Sequence, residues 1–175
     1  LLRDGRRMYA YHFSGYWKDV GTISSLWEAN MEVLDPENSG IDLFNDDWKI
    51  YSRNAGMTGH KIGANAKIEN SMITDGCRID GDVSHSILYS GVKVAPGAVV
   101  KDAVVMGGSV IKEGAVVEHC IVGENAVIGE NVVIGAVKDG EEQGVATIGP
   151  GVYVGSGAVI GSHAMVRENV KDGEE

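Results

Sequence analysis

The sequence has little of what stabilises small secreted proteins or crosses membranes. Its 175 residues include only two cysteines, Cys77 and Cys120, and no Cys-x-x-Cys pair. Neither a disulfide framework nor a zinc site is indicated, so a reducing cytoplasm fits best. No run of about 18 apolar residues exists, and no membrane association is expected. Because 43% of the residues are hydrophobic, the chain can still bury a core.

Positive charge is also scarce, and this argues against a nucleic-acid partner. The formal net charge is −10 at pH 7, whereas phosphate backbones attract clustered Lys and Arg. Arg3, Arg6 and Arg7 flank an Asp-Gly turn and are candidates for an anion site for a sugar-phosphate regulator, although basic residues around a turn are more often solvated. The chain opens at Leu1 in what looks like the middle of a structure, so we expect a fragment.

Proline is rare, with three residues, yet there are 25 glycines, a composition that favours an internal repeat. Aliphatic residues recur at steps of six, with occasional steps of five. They are Ile62, Ile68, Ile73, Ile79, Leu88, Val94, Val100, Val105, Ile111, Val117, Val122, Ile128, Ile134, Ile148, Val154, Ile160 and Val166. This period is not that of an α-helix, which needs apolar spacings of three and four.

The residues between the aliphatic positions predict regular corners. Counting the aliphatic residue as the first of six, the fourth is almost always Gly or Asn, which accept a positive φ angle. The fifth is always small and apolar, as needed inside a corner. The fourth positions are Asn65, Gly97, Gly114, Asn125, Asn131, Gly151, Gly157, His163 and Asn169, and the fifth are Ala66, Ala98, Ala115, Ala126, Val132, Val152, Ala158, Ala164 and Val170.

This pattern predicts a parallel β-helix of hexapeptide repeats, with three faces and about 18 residues in each coil. The steps of five, and the nine-residue step from Ile79 to Leu88, are interpreted as tightened or bulged corners. Residues 136–147 interrupt the repeat and predict a solvated loop, with Lys138, Asp139, Glu141 and Glu142 on its surface. The fold does not define a function, because β-helices of this kind serve several.

The segment before the repeat predicts a strand, a turn and a helix. Residues 8–13 alternate as a strand does, and Gly15 breaks the pattern. Thr22 is a good N-cap, and Pro36 prevents the helix from continuing. One strand and one helix cannot form a core, so their apolar face needs a further partner. The helix has its apolar residues at Ile23, Leu26, Trp27, Met31 and Leu34.

Three stretches of this chain resemble bacterial glucose-1-phosphate adenylyltransferases, also called ADP-glucose pyrophosphorylases. They are Gly-Tyr-Trp-Lys-Asp-Val-Gly-Thr-Ile from residue 15, Leu-Trp-Glu-Ala-Asn-Met-Glu-Val-Leu from residue 26, and Asp-Trp-Lys-Ile-Tyr-Ser from residue 47, followed by hexapeptides. The resemblance implies a mostly β fold, with a left-handed parallel β-helix in residues 53–175. Residues 1–52 would be the end of an α/β nucleotidyltransferase domain with its connecting helix and linker.

The resemblance also implies a chemistry. The family makes ADP-glucose and pyrophosphate from ATP and glucose 1-phosphate, for glycogen or starch synthesis in the cytoplasm. Asp19 matches the aspartate that helps to hold Mg²⁺ at the phosphates, and Trp17 matches a tryptophan that lines the sugar-phosphate pocket. A metal held by a carboxylate offsets the repulsion between two polyanions. The family's catalytic residues would lie upstream, so this chain alone is expected to be inactive.

The resemblance further implies an oligomer and an effector. We expect a homotetramer, or a hetero-oligomer with a non-catalytic paralogue, and regulation by a sugar phosphate or similar anion. That paralogue departs from Asp-Val-Gly-Thr, which this chain keeps at residues 19–22.

Two alternatives remain open from the sequence. Another sugar-phosphate nucleotidyltransferase, using mannose 1-phosphate or N-acetylglucosamine 1-phosphate, is one, since several have β-helical tails. A hexapeptide-repeat acyltransferase is the other, because such enzymes use a histidine as general base, and His85, His119 and His163 are candidates. His163 occupies a corner position, where a histidine also has a backbone reason to occur.

Overall fold

The computed structural model describes residues 2–51, 56–137, 140 and 142–174. A short 3-10 helix, Leu2–Asp4, comes first, followed by α1 (Ile23–Glu32) and α2 (Pro36–Ser39). All the described strands come after these helices, so the helical and β parts follow one another along the chain. The predicted domain boundary between residues 52 and 53 lies outside the described residues and stays a prediction.

The repeat folds as a parallel β-helix of about six coils, which confirms the predicted architecture. Every pair of strands recorded among the described residues is parallel, as stacked coils require. The left-handed sense stays a prediction. The strands are β1 (Lys61–Ile62), β2 (Ile68–Glu69), β3 (Met72–Ile73), β4 (Arg78–Ile79), β5 (Asp82–Ser84), β6 (Ile87–Leu88), β7 (Lys93–Val94), β8 (Val99–Val105), β9 (Val110–Ile111), β10 (Val116–Val122), β11 (Val127–Ile128), β12 (Val133–Ala136), β13 (Ala146–Ile148), β14 (Tyr153–Val154), β15 (Val159–Gly161) and β16 (Met165–Val166).

The aliphatic repeat forms three columns that run through the interior, one for each face. Side chains in the middle coils are fully buried, and each contributes about 1.5–3 kcal/mol by leaving water. Ile62 and Ile68 in the first coil are each 38% exposed. The columns are Ile62, Ile79, Val94, Ile111, Ile128 and Val154; Ile68, Val83, Val100, Val117, Ile134 and Ile160; and Ile73, Leu88, Val105, Val122, Ile148 and Val166.

Val83 corrects the interpretation of the nine-residue step as a single irregular corner. It is 1% exposed and pairs with Val100, so the step contains an additional face of the coil. The corner before it is tight. A Cβ at Gly81 would approach the carbonyl oxygens of Ala95 and Ala98 within 2.6 Å. The spacing is four residues from Ile79 to Val83 and five from Val83 to Leu88, so a search for steps of six does not find Val83 as a core position.

Seven of the nine predicted corners have the expected left-handed backbone. Asn65 and Asn169 do not, so the prediction is wrong at these two positions. Both lie in the terminal coils, where a neighbouring coil is missing on one side. At Asn169 the side-chain oxygen instead accepts a hydrogen bond of 2.8 Å from the backbone N–H of Tyr153. The seven are Gly97, Gly114, Asn125, Asn131, Gly151, Gly157 and His163.

The prediction for the segment before the repeat is right for the helix and wrong for the strand. Thr22 caps α1: its hydroxyl accepts a hydrogen bond from the N–H of Ser25, whose own hydroxyl accepts one from the N–H of Thr22. Residues 8–13 form no strand, and Tyr9 and Tyr11 are almost fully exposed. An alternating pattern becomes a strand only beside a partner, and the described residues provide none there.

The insertion is only partly the solvated loop that the sequence predicts. Val137, Glu142 and Gln143 are exposed, as expected. Val145 and Ala146 are buried, because the chain returns to the β-helix as β13 before the repeat resumes. Lys138, Asp139 and Glu141 lie outside the described residues. Elsewhere, no helix in the described parts of the chain is long and apolar enough to cross a lipid bilayer.

Candidate functional site

The helix α1 packs on the outside of the third face of the β-helix. The third face is the one whose inward column contains Leu88, Val105 and Val122. The residues before them, Ile87, Val104 and Ile121, point outward and lie side by side in successive coils. Met31 of α1, which is 6% exposed, packs against these three side chains. Trp27 adds a directional contact, because its indole N–H donates a hydrogen bond of 2.8 Å to the backbone carbonyl of Asp102. The helix is therefore attached by both apolar packing and a specific hydrogen bond.

The segment that precedes α1 is held along the side of that helix. Lys18 forms ion pairs with Glu28, at 2.9 Å, and Glu32, at 2.7 Å. The hydroxyl of Tyr16 donates a hydrogen bond of 2.7 Å to the other carboxylate oxygen of Glu32. Tyr16 and Lys18 therefore face α1, while Trp17 and Asp19 between and after them are exposed, as expected for an extended chain.

Hydrogen bonding keeps Lys18 and Glu32 charged near neutral pH. The hydrogen bond with Glu32 raises the pKa of Lys18, and Glu28 adds to the effect. The pKa of the Glu32 carboxyl is lowered, first by Lys18 and then by Tyr16. The pKa of Tyr16 is raised by its hydrogen bond to Glu32. The contacts that orient this segment therefore do not titrate in the neutral range.

Trp17, the predicted substrate-binding residue, is 74% exposed and borders a cleft of about 530 Å³. The cleft lies between the Tyr16–Lys18 segment, the two helices and the second coil of the β-helix. Its walls carry an aromatic ring and both acidic and basic groups, which suits a polar ligand. The cleft is lined by Tyr16, Trp17, Lys18, Met31, Glu32, Asp35, Asn38, Ser39 and His85.

Asp19, the predicted magnesium ligand, is exposed at the turn before α1. Mg²⁺ takes six oxygen ligands, of which proteins usually supply one or two carboxylates while water and substrate phosphates supply the rest. Among the described residues, no group of three or more His, Cys, Asp or Glu is placed to hold a metal ion. The described residues alone therefore do not form a site for Mg²⁺, and Asp19 can supply one ligand of it. The roles of Asp19 and Trp17 stay predictions.

A column of polar corner residues lies beside α1, and the six-residue spacing did not predict it. His85, Asp102 and His119 occupy the same corner in successive coils, each with a left-handed backbone. The Nδ1 atom of His85 lies 2.6 Å from a carboxylate oxygen of Asp102. The ring of His119 lies 4.1 Å from that of Trp27, inclined at 45°.

A signal for this column is present in the sequence. Each of the three residues is followed by a small residue and two aliphatic ones: His-Ser-Ile-Leu from residue 85, Asp-Ala-Val-Val from residue 102 and His-Cys-Ile-Val from residue 119. Aligning the steps of five rather than those of six would have revealed it.

The remaining candidates are not brought together in one site. His163 lies in an exposed corner at φ 62°, with its ring against the backbone of Gly144. Arg3, Arg6 and Arg7 are exposed. Cys77 and Cys120 are buried and free, and burial raises the pKa of both thiols, so neither is an activated nucleophile.

The fold and the α1 contacts define a class: a hexapeptide-repeat β-helix that carries a docked helical segment on one face. Residues 53–155 match the family described as GlmU-like, C-terminal hexapeptide. The chain belongs to this family. Residues 1–36 match the family described as nucleotidyl transferase. The two matches occur in the order that the resemblance implies.

A curated relative confirms the resemblance. The chain is 49% identical over 104 residues to a glucose-1-phosphate adenylyltransferase of Clostridium botulinum, strain Eklund 17B / Type B. The matched stretch covers 59% of this chain and 27% of the relative. The similarity therefore concerns about a quarter of the relative's length.

Proposed function

We propose that this chain is part of a glucose-1-phosphate adenylyltransferase, which forms ADP-glucose and pyrophosphate from ATP and glucose 1-phosphate for glycogen synthesis in the cytoplasm. The supporting observation is the attachment of the Tyr-Trp-Lys-Asp-Val-Gly-Thr segment to α1, and of α1 to the β-helix, in a chain similar to such an enzyme. In this proposal Trp17 contacts the sugar phosphate, and Asp19 supplies one ligand to Mg²⁺.

A hybrid enzyme tests the proposal. This chain would replace the corresponding region of the Clostridium botulinum relative, and pyrophosphate release from ATP and glucose 1-phosphate would be measured. We expect activity within about tenfold of the parent, because the relative already shares half of its residues with this chain over the matched stretch. A folded hybrid without activity would contradict the proposal. This chain alone is expected to release no pyrophosphate.

The hybrid does not separate the second nucleotidyltransferase candidate from the first, because its catalytic residues come from the relative. The match to a GlmU-like hexapeptide family supports the second candidate, another sugar-phosphate nucleotidyltransferase. If the intact protein that contains this chain turned over UTP or GTP with another sugar 1-phosphate faster than ATP with glucose 1-phosphate, the substrate part of the proposal would fail. For an acyltransferase, His119 is less suitable as a base because Trp27 covers one side of its ring. The Asp102 carboxylate at Nδ1 of His85 leaves the other ring nitrogen of His85 to act as a base, so His85 stays the candidate for that function. Coenzyme A binding by calorimetry would be the evidence for it.

We further propose that the β-helix serves subunit contacts in a homotetramer or a hetero-oligomer. Val99, Val116, Val133 and Val159 form an outward column on the second face, each partly accessible to solvent. Outward positions of a solvated sheet are usually polar, so an aliphatic column suits a contact with another subunit. Val116→Lys should lower the mass measured by light scattering, whereas Glu113→Lys at a nearby exposed corner should not. An unchanged mass in Val116→Lys would place the contact elsewhere.

A further inference from the structure

Glu32 contacts both of the residues that flank Trp17. One of its carboxylate oxygens accepts a hydrogen bond of 2.7 Å from the ammonium of Lys18. The other accepts a hydrogen bond of 2.7 Å from the hydroxyl of Tyr16. Residues i and i+2 of an extended chain point to the same side, so Trp17 points to the opposite side, and it is 74% exposed. The two contacts of a single carboxylate therefore keep Trp17 directed away from α1.

The position of Glu32 is unfavourable for α1 itself. Glu32 is the last residue of this helix, where the negative end of the helix dipole disfavours a carboxylate. The last turn of α1 has no basic residue that could offset this effect. The compensating cation, Lys18, comes from the segment before the helix. The contacts with that segment, rather than the stability of the helix, therefore account for a carboxylate at this position.

Glu28, one turn earlier in α1, provides a comparison within the same helix. It pairs with Lys18 at 2.9 Å, and its side chain is 52% exposed, against 33% for Glu32. Among the hydrogen bonds of the described residues, the hydroxyl of Tyr16 donates to Glu32 and not to Glu28. Of the two carboxylates, Glu32 is therefore the one that connects both sides of Trp17.

We propose that Glu32 is a positioning residue, whose contacts with Tyr16 and Lys18 fix the direction in which the side chains of Trp17 and Asp19 point. These two contacts are named the Glu32 clamp. Trp17 and Asp19 are two residues apart and therefore share one side of the extended segment. The importance of the clamp for the reaction rests on the proposed function, in which Trp17 contacts the sugar phosphate and Asp19 supplies a ligand to Mg²⁺. The clamp itself does not rest on it.

The Glu32 clamp is suited to orient the segment rather than to stabilise the fold. Tyr16, Lys18 and Glu32 are all partly accessible to solvent, so water weakens their contacts. Loss of the clamp should therefore leave α1 and the β-helix folded. Its effect on a reaction can still be large, because a misplacement of about 1 Å at a substrate-binding group can cost about 100-fold in rate.

Backbone NMR relaxation of this chain tests the clamp without a catalytic assay. Glu32→Ala removes both contacts, whereas Glu28→Ala removes one contact of Lys18. Both variants introduce the best helix former into the same helix, so a difference between them does not come from helix propensity. We expect the order parameters of residues 16–19 to fall from about 0.85 to below about 0.6 in Glu32→Ala and to stay high in Glu28→Ala.

The order parameters of α1 should be unchanged in both variants. If residues 16–19 were as ordered in Glu32→Ala as in the unmodified chain, or if Glu28→Ala caused an equal loss, the clamp would be overturned. Loss of order in α1 together with the segment would also overturn it, because Glu32 would then stabilise the helix.

The hybrid enzyme tests the effect on the reaction. A purely structural role of Glu32 would reduce the amount of active enzyme, and therefore kcat, at unchanged half-saturating concentrations. Displacement of Trp17 and Asp19 should instead raise the KM for glucose 1-phosphate and the Mg²⁺ concentration that gives half of the maximal rate. We expect each to rise about tenfold in Glu32→Ala and less than about twofold in Glu28→Ala.

The outcomes separate the positioning role from the proposed function. An active hybrid in which Glu32→Ala changes neither the KM nor the Mg²⁺ requirement would overturn the positioning role and leave the proposed function standing. A folded hybrid that is inactive with Glu32 in place would contradict the proposed function, and with it the role of Glu32 in the reaction. The relaxation measurement would still decide whether the clamp exists.

Discussion

Two regions of this chain use their apolar residues in opposite ways. In the β-helix, from Lys61 onward, the repeated aliphatic side chains are buried in three columns. In residues 2–51, the large apolar side chains are mostly exposed, among them Tyr9, Tyr11, Phe44, Trp48 and Tyr51. The exception is α1, whose apolar side packs on the β-helix.

The difference shows which contacts each region depends on. A coil is stabilised by the coils next to it, so the repeat needs only nearby sequence to complete its core. Tyr16 and Lys18 are held by side-chain contacts with α1, and α1 is held by contacts with the β-helix. Substitutions in the repeat should therefore affect the whole molecule, and those around α1 should act locally.

A core substitution in a middle coil should have the largest effect. Ile128 is fully buried in the first column, and Ile128→Ala should lower the free energy of unfolding by about 2–5 kcal/mol. Val127 is its outward neighbour, so Val127→Ala should cost less than about 1.5 kcal/mol. Denaturant unfolding followed by far-UV circular dichroism measures both. Equal costs would mean that inward and outward positions do not differ as described.

Removal of the Trp27 side chain should have the next largest effect, and a local one. Trp27→Ala removes the hydrogen bond to Asp102 and the contact with His119. The free energy of local opening that protects the amides of α1 from exchange should therefore fall by about 2 kcal/mol. Native-state hydrogen exchange resolved by residue measures this. Protection in β11 and β14 should be unchanged. A matching loss in those strands would show that the two regions unfold as one unit.

A corner substitution should be smaller again. Gly157 has φ 71° and open space around its Cα, so Gly157→Ala should cost about 1–2 kcal/mol through backbone strain alone. Gly157→Asn should cost less, because Asn accepts this conformation. The shift in thermal unfolding midpoint distinguishes the two variants. If both cost the same, the backbone conformation of this corner is not what requires glycine.

The surface network should have the smallest effect on stability. Lys18→Met should lower the protection of residues 15–22 only slightly, because the paired side chains are partly exposed and water screens their charges. Since the pKa of Glu32 is lowered, its contribution is present above its ordinary pKa of 4.5 and is lost as the pH falls through the lowered value. Exchange measured at about pH 7 and about pH 3 checks this. Lys18→Met should remove most of that difference, and a larger cost at pH 7 would mean that the network is more buried than described.

The sequence predicted the β-helix well because its signal is local. Inward aliphatic, corner and small residues recur within six positions, and the structure follows them except in the terminal coils. Val83 was missed because the neighbouring steps of four and five hid its register. The contact between Trp27 and His119 was not predictable from spacing, since it joins residues far apart in the chain. Residues 8–13 show the reverse case, an alternating pattern without a partner strand.

The activity of the hybrid enzyme with Asp19→Asn tests the functional account most directly. Asp19 precedes α1 and is the proposed ligand of Mg²⁺. We predict a loss of about 100-fold or more in kcat/KM, with unchanged unfolding by circular dichroism. Asp47→Asn, at another exposed aspartate, should keep full activity. Equal activities of the two variants would contradict the placement of Asp19 at the reacting phosphates.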